Sequence, residues 1–146
     1  MTQTVEISDL SIAISLLVNL NKQSRPNTYP GPKIEFMQNC CTVRVDPGRR
    51  TGKTSSIPYI CSEFTSALVI CKTDKLAKDL RNQVFDKNSS VLITSCDRLT
   101  EDTIRGREFD VIIMDDCDLG THALTILMEH FITHQLAAPT FIILGK

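Results

Sequence analysis

The sequence carries no excess charge of either sign: 16 Lys+Arg stand against 17 Asp+Glu, a formal charge of -1 over 146 residues. No global field therefore draws the chain onto nucleic acid or a membrane, and a polyanionic partner would have to be held by a local patch. A long apolar run is also lacking. The longest, SIAISLLVNL from Ser11 to Leu20, is about half of what a bilayer-spanning helix needs and is interrupted by Ser15 and Asn19, so no membrane segment is expected. CxxC spacing does not occur among Cys40, Cys41, Cys61, Cys71, Cys96 and Cys117, and no signal peptide precedes them. Buried, reduced thiols and a cytoplasmic setting are expected, rather than a disulfide framework or a zinc site. Gly and Pro number only 6 each beside 42% hydrophobic and 23% charged residues, which sets disorder aside. A chain of this length buries roughly two thirds of its unfolded surface, enough for one domain.

What is present begins with Ser8 and Asp9, a cap for a helix from about Asp9 to Lys22 whose apolar positions Leu10, Ile14, Leu17 and Val18 share a face. QSRPNTYPGPK follows, with three prolines and a glycine, and reads as a loop or arm. Residues 1–32 are thus expected to form an N-terminal helix and Pro-rich arm ahead of a domain over 33–146.

Beyond the arm, strand-length apolar runs alternate with amphipathic stretches. The strand candidates are CTVRV (41–45), ALVIC (67–71), VLITS (91–95), DVIIMD (110–115) and TFIIL (140–144). Several are continuously apolar, as strands covered on both faces are. TDKLAKDLRNQVF repeats Leu76, Leu80 and Val84 every four residues, and THALTILMEHFITH is similarly helical. Strands alternating with helices predict an open, mainly parallel α/β sheet flanked by helices.

Between the first strand and the next helical segment lies DPGRRTGKTSS, from Asp46 to Ser56. Backbone N–H groups at a helix N-terminus point at an anion there, and Gly52, Lys53 and Thr54 supply close backbone approach, an ammonium for the β/γ-phosphates and a hydroxyl for Mg²⁺. Gly48, Arg50, Thr51 and Gly52 would complete the cradle. The pattern G-x-x-x-x-G-K-[ST] would put its first glycine at Pro47, with Gly48 one residue late, so a basic surface turn containing GKT is the alternative. Pro58 removes a helical hydrogen bond about a turn later, predicting a kinked or short helix. Some sixty residues on, FDVIIMDDCD ends an apolar run in Asp115 and Asp116. The first carboxylate is placed to hold Mg²⁺ and the second to orient an attacking water; a strand followed by an ordinary acidic loop has the same pattern.

Taken together, residues 38–146 resemble the RecA-like ATPase domain of superfamily 1/2 helicases and of viral and phage large terminases. DDCD (115–118) is similar to the DExD box, with Asp116 where Glu is usual. ALVICKTDKLAKDLRNQV and VLITSCDRL look like the strands and helix between the Walker motifs, and FIILGK like the strand after the second. The resemblance implies a single RecA-like P-loop lobe using ATP and Mg²⁺ on DNA, within a viral helicase- or packaging-type machine in the host cytoplasm. Arg49 stands where terminases carry an arginine acting in cis on the γ-phosphate, and Gln38 where an upstream glutamine reads adenine. Lys72, Lys75, Lys78 and Arg81, extended by Arg98, Arg105 and Arg107, fall where the family faces a nucleic-acid backbone. Asp74 and Asp79 would pair with Lys78 and Lys75 at i,i+4 in a self-neutralised solvent face, the alternative.

Two departures bear on activity. Asp at 116 shortens the water-orienting side chain, and a misplacement of about 1 Å costs on the order of 100-fold in rate, so nucleotide binding is a firmer expectation than fast turnover. The family's second RecA-like lobe or nuclease domain has no counterpart expected after FIILGK, so the expectation is a homo-oligomer or a partner protein supplying the missing lobe, a trimmed domain, or a reduced relative that uses the fold for binding. The rival is a non-motor binding or regulatory module on the same fold; a small-molecule kinase is disfavoured because no Arg-rich lid segment follows. His130 and His134, four apart on a helix, lack a third metal ligand at recognisable spacing and read as surface histidines.

Overall fold

The computed structural model describes residues 9–46, 53–64, 66–83, 91–115, 120–135 and 137–145. In chain order the elements are α1 (Asp9–Ser24), α2 (Lys33–Cys40), β1 (Thr42–Val45), α3 (Lys53–Glu63), β2 (Ala67–Cys71), α4 (Asp74–Gln83), β3 (Val91–Ser95), α5 (Glu101–Ile104), β4 (Val111–Asp115), α6 (Gly120–His134) and β5 (Thr140–Leu144). The strands form one sheet in the order β1-β5-β4-β2-β3, and every pairing is parallel. The protein is therefore an α/β fold with a five-stranded parallel sheet flanked by helices.

Position in the sheet explains the hydrophobic runs. β2, β4 and β5 lie inside and are buried at every residue, whereas β1 and β3 are edges with partly exposed residues. Alternate side chains then feed two cores. Val111 and Ile113 of β4 join Ile14 and Val18 of α1, Ile57 and Ile60 of α3, and Ala77 and Leu80 of α4. Ile112 and Met114 join Met37 of α2, Ile104 of α5 and Phe131 of α6 on the other face. The topology requires this split. The chain advances across the sheet from β1 to β3 through α3 and α4, then returns to β5 through α5 and α6; with right-handed crossovers, a reversal of direction changes the covered face.

α1 is tied to this frame at its C-terminal end. Arg25, just beyond it, donates to the Ala138 carbonyl (3.0 Å) and to Thr140 Oγ1 (2.6 Å), Asn21 Nδ2 donates to the Cys40 carbonyl (2.9 Å), and Lys22 forms an ion pair with Asp110. Residues 9–24 thus share a core with the elements of 33–146.

One local expectation needs correction, and two helices show what the sequence did not specify. Leu17, expected on the buried face of α1, is 42% exposed, because Ile14 and Val18 centre the contact and Leu17 lies 100° around the helix from Val18. The stretch before the first strand holds an eight-residue helix, α2, which begins after Pro32, where a missing N–H costs nothing. α3 continues through Pro58 for 11 residues. An interior proline costs about 3 kcal/mol, but fully buried Ile57 and Ile60 each return roughly 1.5–3 kcal/mol, which offsets it.

Phe131 anchors the second core, 1% exposed, with edge-on ring contacts to Phe109 at 6.0 Å and Phe141 at 6.3 Å. Phe131→Ala is expected to cost about 3–5 kcal/mol in urea unfolding, while Lys75→Ala on exposed α4 should stay within about 0.5 kcal/mol.

Candidate functional site at the carboxyl edge

The last residues of the strands form a row across the sheet: Val45, Leu144, Asp115, Cys71 and Ser95 are successive in-register partners. Parallel partners in register project to one face, and Leu144 and Cys71 belong to the core beneath α1, α3 and α4. Asp115, two residues after Ile113, projects to that same face.

β4 and β2 are neighbours whose following helices leave on opposite faces, α6 on one and α4 on the other. Such a reversal opens a crevice at the carboxyl ends of a parallel sheet, the common ligand position in open α/β folds. Asp115 ends β4 at this point and is only 2% exposed. One strand, β5, separates it from β1, and the helix on its own face, α3, begins at Lys53. Gly145 follows β5 at φ 89°, in the left-handed region glycine favours, and its N–H donates to the Val45 carbonyl (2.9 Å), closing the gap between β5 and β1 at this edge.

Burial governs the thiol beside Asp115. Desolvation, reinforced by the Asp115 carboxylate and opposed by Arg81, pushes Cys71 up to about 11. Cys61 is pushed up to about 12 by burial and by Cys71, and Cys41 to about 11 by burial, opposed by Arg25.

Toward β3 the edge is fastened by a network that charge spacing did not reveal. The Asp74 carboxylate accepts from Ser95 Oγ and from Arg98 Nε, the latter at 2.9 Å. Asp74 thus pairs with Arg98 from the turn after β3, not with Lys78 one turn along its own helix. The Ser95 hydroxyl, then the Arg98 hydrogen bond, hold its carboxyl below the usual range although it is exposed to solvent. Thr73 Oγ1 accepts from the Leu76 N–H (3.2 Å) and starts α4.

The sequence-derived candidates divide as follows. Asp115 ends β4, buried, where the covered face of the sheet changes. Lys53 and Thr54 open α3. Gly48, Arg49, Arg50, Thr51, Gly52 and Asp116 lie outside the described residues. Gln38 is exposed on α2, next to Met37, whose carbonyl accepts from Thr42 Oγ1 (2.9 Å). It therefore stands at the amino edge, the full length of β1 away from the crevice.

Lys72, Lys75, Lys78 and Arg81 are exposed on or just before α4, but Arg81 Nε donates to the Ile93 carbonyl (3.1 Å). Of the arginines expected to extend that patch, Arg98 is paired with Asp74 and Arg105 with Asp102 at 3.1 Å. The His130 and His134 rings lie 4.6 Å apart. Among the described residues no three His, Cys, Asp or Glu side chains gather as a metal would require.

Cys40, Cys41, Cys61 and Cys71 are free thiols, as expected, but Cys96 is disulfide-bonded. Spacing along the chain gives no sign of this, because it is the sheet that brings Cys96 to the carboxyl edge, its sulfur 3.3 Å from the Cys71 carbonyl oxygen. No helix among the described residues is long and apolar enough to cross a membrane.

Two measurements check these electrostatics. Alkylation of native protein at mildly alkaline pH, read by mass spectrometry, should spare Cys41, Cys61 and Cys71, and denaturation should expose all three. In an NMR titration the Asp74 carboxyl should titrate below an ordinary aspartate and move back up in Ser95→Ala. A folded-state pKa below the unfolded value means that Asp74 contributes stability at neutral pH and that this is lost as pH falls through the lowered midpoint. An unchanged midpoint in the variant would remove Ser95 from the account.

A scan against protein-family models gives no match for this chain, and a search among curated proteins gives none either.

Proposed function

We propose that the protein binds ATP with Mg²⁺ at the carboxyl edge of its sheet and hydrolyses it slowly, as a RecA-like P-loop lobe of a DNA-directed machine of the helicase or packaging kind. The observation carrying this reading is Asp115, a carboxylate 2% exposed at the end of the central strand, on the face of the helix that begins at Lys53. A hard cation prefers oxygen donors, and Mg²⁺ is commonly held by one or two carboxylates together with substrate phosphates, so this residue type fits it.

In this reading the Lys53 ammonium neutralises the β/γ-phosphates, and Thr54 with Asp115 supplies protein oxygens to Mg²⁺. Bound Mg²⁺ offsets charge on the phosphate oxygens. Asp116 accepts a hydrogen bond from the attacking water, and Arg49 balances charge on the transferred group. The products are ADP and phosphate, with oxygen from water ending on the phosphate. Gln38 has no part, because it stands at the opposite edge. The exposed lysines on or just before α4, Lys72, Lys75 and Lys78, together with Arg107, are the contacts left for a DNA backbone once Arg81, Arg98 and Arg105 are engaged within the protein. A cytoplasmic home accords with the four free thiols and not with the bond at Cys96.

The rival reading, a non-motor binding or regulatory module, draws support from the apolar outer side of α1, where Ile12, Leu16, Leu17 and Leu20 are exposed.

The deciding experiment compares wild type with Lys53→Ala and Asp115→Asn. Mg²⁺-ATP should raise the thermal midpoint of wild type only, by mass action, and each variant should lose turnover by on the order of 100-fold or more. DNA should raise wild-type turnover. Absence of any Mg²⁺-ATP effect on wild type would sink the nucleotide reading in favour of the module.

A further inference from the structure

Two of the three helices that cover one sheet face, α1 and α4, meet solvent very differently. On α4 the outward residues include Lys75, Lys78, Asp79 and Arg81. On α1, residues 10–21 contain no charge at all, and Ile12, Leu16, Leu17 and Leu20 are exposed by 47%, 64%, 42% and 59%. Ile12, Leu16 and Leu20 are spaced by four, so they form a single ridge. At 100° per residue that ridge lies opposite Ile14 and Val18, which are fully buried against the sheet. α1 is thus apolar on both its inner and outer sides, the pattern of a helix buried all round rather than of an outermost layer.

Beside the ridge runs a groove between α1 and α3, of about 240 Å³, walled by Ser15, Leu16 and Asn19 on one side and Tyr59, Ser62 and Glu63 on the other. A projecting row of aliphatic side chains next to a depression on the same surface is self-complementary under a twofold axis: the ridge of each copy enters the groove of the other.

We propose that two copies of this chain pair through the outer face of α1, in an isologous contact that places Leu16 near the twofold axis. The four side chains present on the order of 400 Å² of apolar surface, comparable to the patches that mark interaction sites on monomers. Two copies together bury about 800 Å² from them, and the groove walls bring the total toward the roughly 1,200 Å² lower limit of stable interfaces, which makes this a weak dimer. An anionic membrane is a poor occupant, because an interfacial helix sets Lys or Arg along its polar flank and this face has none. The inference is independent of the nucleotide reading.

Sedimentation velocity on the full chain from about 1 to about 500 µM tests it. Wild type should pass from monomer to dimer within that range, while Leu16→Glu and Leu20→Lys should remain monomeric with circular dichroism unchanged, since both positions are exposed. Lys75→Glu should dimerise as wild type does. A wild type that stays monomeric throughout, as it would if α1 were covered by a different protein, overturns the proposal. So does a Leu16→Glu or Leu20→Lys variant that dimerises normally, or loss of the dimer in Lys75→Glu.

Discussion

The parallel hydrogen-bond ladders that hold β4 between β5 and β2 fix where the candidate chemistry stands. Because strand side chains alternate, a slip of one residue in that pairing would carry Asp115 to the α6 face and present Met114 to α3. Nothing in a run such as VIIM resists that slip by itself. The two cores resist it, each accepting one set of alternate side chains, so packing of aliphatic residues well inside the sheet positions a carboxylate at its edge.

Polar contacts then fasten the ends of elements that the cores leave loose. Arg25 and Asn21 join the end of α1 to the segment before β5 and to the end of α2. Gln135 brackets Phe109, accepting from its N–H at 2.9 Å and donating to its carbonyl at 2.7 Å, so the end of α6 is locked to the approach to β4. Asp74, Ser95 and Arg98 do the same between β3 and α4. These groups are partly exposed, so each contributes modestly to stability; their effect is to fix geometry around the crevice.

Strand identity was legible because burial on both faces leaves an unmistakable run: ALVIC, VLITS and TFIIL coincide with β2, β3 and β5 residue for residue. Strand order was not, since any parallel strand can neighbour any other once crossovers are long enough. α2 escaped notice behind three prolines, because the third serves as its cap rather than its breaker. At the site, Asp115 could be read from an apolar run ending in acid. The Asp74–Arg98 pair could not, because it joins residues 24 apart that only the β2–β3 pairing brings together. Gln38 misled for the opposite reason: nearness to β1 in sequence says nothing about which end of the strand it occupies.

The position of β1 also sets an order of events during synthesis. As an edge strand it has a single neighbour, β5, whose residues lie about one hundred positions further along the chain. β2 and β3 can pair soon after emerging from the ribosome, but β1 has no template until β5 is made, and closing so long a loop is slow. The row of strand ends from Val45 to Ser95 is therefore completed late. A nascent chain halted before residue 140 would have β4, β2 and β3 available to pair and β1 without its neighbour.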